Sequence, residues 1–296
     1  MSTTGNQLTL SVICPVTKMH GRLDNLMKWI DEIKFLKVEA FIVHDIQDEK
    51  TGPELSKLLQ GSGNPRVHLS QGFFGEAGSA RNSVLKLCQG NWIAFWDSDD
   101  CPRVLDVMSE IDSKFDVIIG EYEVSHKGIL DDTFRHYGKS FQDNIDLVSF
   151  NPGLWRCVFR RELLKEVTFP KFKMGEDQDF LAQINWSQIK VKFANKSFYK
   201  YNIGDENQTT AIKNSRAPIL KSLEFLKLLL EGGKGDARFI HNLITRQVMT
   251  LIKTLDVFLV LKALMMLLSI LVRPRFLVPQ SLAFLRLLKF FRNTTV

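Results

Sequence analysis

Three carboxylates fall within four residues at Asp97-Ser98-Asp99-Asp100, directly after the apolar run Asn91-Trp92-Ile93-Ala94-Phe95-Trp96. A short apolar stretch that breaks into acids reads as a buried strand delivering carboxylates to the rim of a sheet. Acids this close repel one another, and a hard divalent cation offsets the repulsion. Mg2+ or Mn2+ held by one or two carboxylates also grips a substrate phosphate, so the spacing suits chemistry on phosphate esters. On these residues alone the competing reading is a solvated acidic turn leading into a helix near Pro102-Arg103-Val104. A second acidic group, Glu176-Asp177-Gln178-Asp179, follows Gly175 and starts a helix, where the helix dipole favours negative charge.

The elements that must position these acids alternate regularly. Leu8 to Cys14 is strand-like and stops at Pro15. Leu23, Leu26, Met27, Ile30 and Ile33 recur at helical spacing, and Val38 to Val43 forms a second apolar run ending in His44-Asp45. Pro53 in a first turn opens another helix, Arg66 to Leu69 is a short third strand, and Gly78 leads a helix that Gly90 closes before the strand carrying Asp97. Strand and helix at this pitch predict βαβ units and a mostly parallel central sheet flanked by helices. Further strands are expected at Phe115–Tyr122, Trp155–Phe159 and Ser197–Tyr201, with helices over Arg160–Val167 and from Gly175 to about Trp186. A polar loop is expected over Gly204–Thr210.

The chain has 296 residues, 45% of them hydrophobic and 24% charged, enough for one large core with an appendage. Its opening residues carry no charged-then-apolar leader pattern. Cys14, Cys88, Cys101 and Cys157 are scattered, with no zinc-binding spacing, which predicts reduced thiols in a cytosolic compartment. From Arg216 to Val296 the net charge is +9, against −3 for the preceding residues. A near-neutral body over 1–215 and a basic helical region over 216–296 are therefore expected. Four helical segments are predicted there: Ile219–Leu230, Arg238–Leu255, Val257–Val272 and Gln280–Phe291. Val257–Val272 falls short of the roughly 20 apolar residues a membrane span needs. Large apolar residues mixed with regular cations suit an amphipathic extension lying on an anionic membrane surface. A helical cap or a homo-oligomer interface is the alternative.

Taken together, Leu10–Val16, Phe41-Ile42-Val43-His44-Asp45, Ser79-Ala80-Arg81-Asn82, Trp92–Asp100 and Gly175-Glu176-Asp177 resemble the family 2 glycosyltransferases of the GT-A fold, over about residues 8–210. The resemblance implies an inverting enzyme that moves a sugar from a nucleotide donor, uridine-linked, to a hydroxyl of a lipid-linked or growing glycan. It implies that Pro15 and Val16 line the base and ribose, Asp45 bonds the base, and Arg81 sits against the nucleotide. Asp97 would contact the ribose beside Ser98, and Asp99 would hold Mn2+ or Mg2+ on the diphosphate. Asp177 would be the general base, with Glu176 positioning the acceptor. Family members often carry two acids at the end of the second strand; here the first is His44. The cell-surface polysaccharide habit of the family implies a peripheral place on the inner face of the cell membrane.

Other classes fit less well. No G-x-G-x-x-G follows the first strand and no G-x-x-x-x-G-K-[ST] occurs, which removes the dinucleotide and P-loop classes. Cys101 and Pro102 break an EF-hand loop. Apolar stripes between the cations disfavour nucleic acid. Two alternatives stay open on the sequence: transfer onto a polyprenyl phosphate, and a non-enzymatic protein of the membrane surface whose acids are structural.

Overall fold

The computed structural model describes residues 8–126, 129–134, 144–203, 218–253 and 256–294; the expected polar loop over Gly204–Thr210 lies outside them. The described residues gather into two compact units. One draws on the stretches 1–136, 154–168 and 190–211, the other on 137–153, 169–189 and 212–296.

The first unit is a sheet with helices. Strands β1 (Leu10–Val16), β2 (Val38–Asp45), β3 (Val67–Gly72) and β4 (Trp92–Phe95) are joined through helices α1 (Asp24–Glu32), α2 (Thr51–Ser62) and α3 (Ala77–Leu85). They pair in parallel in the order β3-β2-β1-β4, the wound arrangement that the alternation predicts. The chain continues through β5 (Cys101–Pro102), α4 (Val104–Glu110), β6 (Val117–His126), β7 (Ile129–Phe134), β8 (Cys157–Arg160) and β9 (Val191–Ile203). Here the sheet is mixed: β8 is antiparallel to β4 and β6, β9 is parallel to β6, and β5 is antiparallel to β9. The α/β class stands, with the parallel character concentrated in the first four strands.

Leu10, Val12, Cys14 and Val16 alternate onto one face of β1 and meet Val38, Ala40, Ile42, Trp92 and Ala94 beneath Leu26, Trp29 and Ile30 of α1. The intervening Ile13, Phe41, Val43, Ile93 and Phe95 are buried as well. Covering both faces is what makes these strands nearly continuous apolar runs. Each such side chain contributes about 1.5–3 kcal/mol on full burial.

β1 runs through Pro15 rather than stopping there. The Ile13 carbonyl accepts the Trp96 N–H at 3.1 Å on the β4 side, and β4 pairing ends at that level. Two residues on, Pro15 faces the same side, where no ladder partner needs its missing N–H. β4 itself is set by a buried acid. Glu39 of β2 accepts the Ser11 hydroxyl and the N–H groups of Gln89 (2.6 Å) and Gly90 (3.2 Å). A Cβ on Gly90 would fall 2.5 Å from the Ser11 nitrogen, so only glycine lets the chain turn this tightly into β4. The four cysteines are free, and burial pushes the Cys88 and Cys157 thiols up to about 12, which keeps them unreactive.

The second unit holds α5 (Asn144–Phe150), α6 (Glu176–Ala182), α7 (Pro218–Glu231), α8 (Ala237–Ile252), α9 (Val257–Leu271) and α10 (Pro274–Thr294). Helix α8 is its axis and packs against all the others, burying Phe239, Ile240, Leu243, Ile244, Val248 and Leu251. Asp236 caps it, accepting the Phe239 N–H at 3.0 Å. Asp146 of α5 accepts two N–H groups from Arg238 (3.1 and 2.8 Å) and one from Asn242 (2.7 Å), while Arg286 of α10 donates to Asn242 at 3.0 Å. The last helix begins at Pro274, six residues before the expected Gln280. That glutamine is buried mid-helix, donating to the Thr245 hydroxyl at 2.7 Å. Among the described residues, no helix is long and apolar enough to cross a membrane.

Candidate active site

In the first unit β1 lies between β2 and β4, so the strand order reverses beside it. In open α/β sheets this reversal opens a crevice at the carboxyl ends of the strands. Pro15, Val16, Asp45 and the Asp97–Asp100 turn all sit at those ends. The Asp97 N–H donates to the Tyr199 hydroxyl at 2.9 Å. Its carboxylate accepts Arg81 Nη2 at 2.7 Å, with Arg81 only 6% exposed and Asp97 35% exposed. A buried guanidinium carried by α3 thus aims a half-exposed carboxylate outward through a charge-assisted bond.

The acidic turn is sorted residue by residue. Asp100 is 1% exposed; its Oδ1 accepts the Asn202 N–H at 2.7 Å, and Asn202 Nδ2 donates to the Asp99 carbonyl at 2.8 Å. Burial, reinforced by Asp99 and Asp97, holds the Asp100 carboxyl well above the usual carboxylate range. Asp97 and Asp99 remain half-buried at the rim, and Ser98 is buried between them. Burial also drives the Tyr199 phenol up, with Asp100 and Asp97 adding to the effect, so the ring keeps its proton while accepting from Asp97. Tyr199 stacks on Trp155 at 4.7 Å, and Trp155 also meets Tyr201 (5.4 Å) and the edge of Tyr122 (4.7 Å).

Asp45 is a loop tie as well as a rim acid. Its Oδ2 accepts the N–H groups of Phe74 (3.3 Å) and Gly75 (2.6 Å), and its Oδ1 that of Gln47 (3.0 Å). This holds the β3–α3 connection against the end of β2. The neighbouring His44 is buried, accepting Gln71 Nε2 on Nδ1 (3.4 Å) and placing Nε2 3.1 Å from the Asp48 carbonyl. A carbonyl can only accept, so Nε2 carries the hydrogen directed at Asp48. The side chain at this place points inward, which accounts for a histidine where an acid is common. Val16 packs into the core, so its side chain is turned from the rim and only its backbone lies at the strand end, beside a half-buried Pro15.

Among the described residues no three His, Cys, Asp or Glu side chains converge into a metal cage. Asp99, half-buried at the rim beside Asp97, still suits an ion such as Mg2+, which keeps several waters and takes its remaining ligands from a substrate phosphate.

The second acidic group belongs to the second unit. Gly175, at φ +90°, opens α6, and a Cβ there would press on Ser222 at 3.3 Å. Glu176 and Asp177 are half-buried, with the Asp177 carboxylate accepting the Gln178 N–H at 2.8 Å. Asp179 is fully buried. It accepts the Ser222 hydroxyl at 2.7 Å, and Gln247 Nε2 donates to the same hydroxyl at 2.6 Å. Burial raises the Asp179 carboxyl well above its ordinary value, and Asp177 and Glu176 push it further. Asp100, Tyr199 and Asp179 are the positioning residues that sequence reasoning passes over. The available signal is that Asp100 and Asp179 each end an acidic run, and that Tyr199 is flanked by alternating aromatics.

The family model for glycosyl transferase family 2 matches residues 11–168, more than half the chain, and the protein belongs to that family. The glycosyltransferase GlyA of Streptococcus pneumoniae is 24% identical over 214 residues, 66% of this chain but 30% of GlyA, so the chain spans under a third of that relative's length. Among solved structures, S. aureus TarS 1–349 in complex with UDP-GlcNAc superposes with a TM-score of 0.63 at 18% identity, covering 81% of this chain and 72% of that one. The mannosyltransferase PcManGT from Pyrobaculum calidifontis, in complex with GDP-Man and Mn2+, gives 0.58 at 14% identity, covering 97% of this chain and 82% of its own. These likenesses establish the GT-A fold, and residues 11–168 carry the family 2 domain.

Proposed function

We propose that the enzyme transfers a sugar from a uridine diphosphate donor, with inversion, to a hydroxyl of a lipid-linked or growing glycan. The observation that carries this reading is the sorted acidic turn: Asp100 locked inside, Asp97 aimed by Arg81 and Tyr199, and Asp99 left at the rim where β1 and β4 end. Transfer builds negative charge on the leaving diphosphate. Mn2+ or Mg2+ bound at Asp99 would supply Lewis-acid stabilisation of that charge. Asp97, aimed by the buried Arg81, holds the ribose, Asp45, Pro15 and the Val16 backbone meet the base, and Ser98 supports the turn from inside. Asp177 takes the acceptor proton as general base, and Glu176 orients the acceptor. In-line attack from the face opposite the leaving group inverts the anomeric carbon.

A guanosine donor is the second reading, favoured by the fold match to a GDP-Man complex over 97% of the chain. A panel of UDP and GDP sugars with Mn2+ separates the two. Asp99→Asn should abolish metal-dependent donor binding by calorimetry. Asp177→Asn should keep donor affinity while turnover falls roughly 10²–10⁴-fold, the usual scale for losing a general base. Near-full turnover by Asp177→Asn would place the base elsewhere.

A further inference from the structure

The strongest unexplained feature of the second unit is the outer face of α9 and α10. Of the 17 large apolar side chains left exposed among the described residues, 12 lie between Val257 and Leu288, so exposure is concentrated in one hairpin of helices. Helix α9 buries only the seam Ala263, Leu267 and Ile270. Its opposite side presents Phe258, Leu261, Met265 and Leu268, at 55–64% exposure. Helix α10 buries Phe276, Gln280, Ala283 and Leu287, and turns Val278, Leu282, Leu285 and Leu288 outward. A helix that is apolar all round is ordinarily covered all round, and an exposed apolar patch on this scale marks an interaction surface.

Charge identifies what covers it. From Val257 to the end of the chain there are six Lys and Arg and no Asp or Glu. Arg273 and Arg286 are engaged inside the unit with Glu231 and Asp146. Lys262, Arg275 and Lys289 are exposed. Lys262 and Arg275 lie over the rings of Phe258 and Phe276 at 4.3 and 4.5 Å, stems along apolar surface and charged heads free to reach a headgroup layer. A second copy of this face would set the three exposed cations of each copy against one another, while Asp256 and Glu231 are engaged in the α9 cap and with Arg273. An anionic lipid surface answers both the cations and the apolar residues. The register is fixed from behind: His241 Nδ1 lies 2.7 Å from Gln280 Oε1, Lys227 donates to Ser269 at 2.9 Å, and Arg286 to Asn242 at 3.0 Å. These bonds rank which faces of α9 and α10 turn inward, leaving the apolar basic side outward.

We propose that the outer face of α9 and α10 is a membrane-docking surface that lies in the interface of an anionic bilayer without crossing it. This inference is independent of the donor and base assignments. Burial of the apolar side supplies adhesion and the three exposed cations supply lipid selectivity. The test is co-sedimentation of the full chain with phosphatidylglycerol/phosphatidylcholine vesicles and with phosphatidylcholine alone, and light scattering without lipid. Binding to the anionic vesicles that weakens with salt is expected. Lys262→Gln, Arg275→Gln and Lys289→Gln should each weaken it by up to roughly fivefold, the worth of about 1 kcal/mol per basic residue at an anionic surface. Leu261→Gln with Leu285→Gln should abolish it while the melting temperature holds, since both side chains are exposed. No vesicle binding by the folded chain overturns the proposal. So does a stable dimer that the two leucine substitutions convert to monomer, or equal binding to neutral vesicles that ignores salt.

Discussion

The two acidic runs, Asp97-Ser98-Asp99-Asp100 in the sheet unit and Glu176-Asp177-Gln178-Asp179 in the helical unit, are built on one plan with different anchors. Each leaves its earlier carboxylates half-buried and sinks its last: Asp100 to 1% exposure and Asp179 to 0%. In both, burial and the neighbouring acids raise the sunken carboxyl. The anchors differ. Asp100 is held by a main-chain donor, the Asn202 N–H of β9, whereas Asp179 is held by the side-chain hydroxyl of Ser222, itself bonded by Gln247. A main-chain anchor is fixed by the sheet and survives any substitution of the donor except proline. A side-chain anchor can be removed one atom at a time. The rim of the sheet is thus held through backbone pairing, while the acid helix is held by a polar cluster of side chains open to tuning.

Removing the sunken acid of the sheet should therefore have the larger effect. Asp100→Ala leaves the Asn202 N–H without its acceptor, a loss of about 1–3 kcal/mol, and frees the peptide that carries Asp99. Urea denaturation should show that loss, and donor affinity should fall roughly tenfold, because small misplacements at a reacting centre are costly. Unchanged donor affinity would break the link between the inward acid and the outward ones. Tyr199→Phe comes next. It deprives the Asp97 N–H of its partner while keeping the stack on Trp155, so about 1–2 kcal/mol of stability should go. A loss of transfer smaller than that of Asp99→Asn should accompany it in steady-state kinetics. If Tyr199→Phe kept full stability, the phenol would be packing rather than aiming.

Much of this plan was readable from local pattern. The apolar run into Asp97 and the β1 to β4 alternation depend on burial over a few residues, which periodicity reports directly, and Asp45 does reach a strand end. What escaped was set at long range. β9 extends over Val191–Ile203 instead of the five residues expected, because its polar Lys192, Lys196 and Lys200 hide a pairing with β6 that only the partner strand reveals. The two-residue β5 exists only through its register with Tyr199 and Lys200. Asp100 looked no different from Asp99 because both are acids in one turn. Their opposite fates follow from Asn202, about a hundred positions later in the chain. The helix expected from Gln280 starts earlier, and His241 and Thr245 on another helix make that glutamine interior.

The helical anchor gives the smallest effect and the sharpest sign. Ser222→Ala should cost about 1 kcal/mol, an ordinary hydrogen bond. Asp179→Asn keeps the acceptor for Ser222 and removes only the titration. Because the folded protein holds the Asp179 proton more tightly than the unfolded chain does, both states are protonated below the unfolded value of about 3.9 and the residue contributes no pH dependence there. As pH rises above that, the unfolded chain releases the proton while the folded one retains it, so wild-type stability falls until the folded value is passed. Asparagine has no such loss. The stability of Asp179→Asn relative to wild type should thus climb as pH rises above about 4, read from urea midpoints at each pH. A flat difference would mean that Asp179 ionises as freely in the folded state as in the unfolded one. The sunken acid of α6 would then be sheltered by water rather than by Ser222 and Gln247, and the parallel with Asp100 would fail at its buried end.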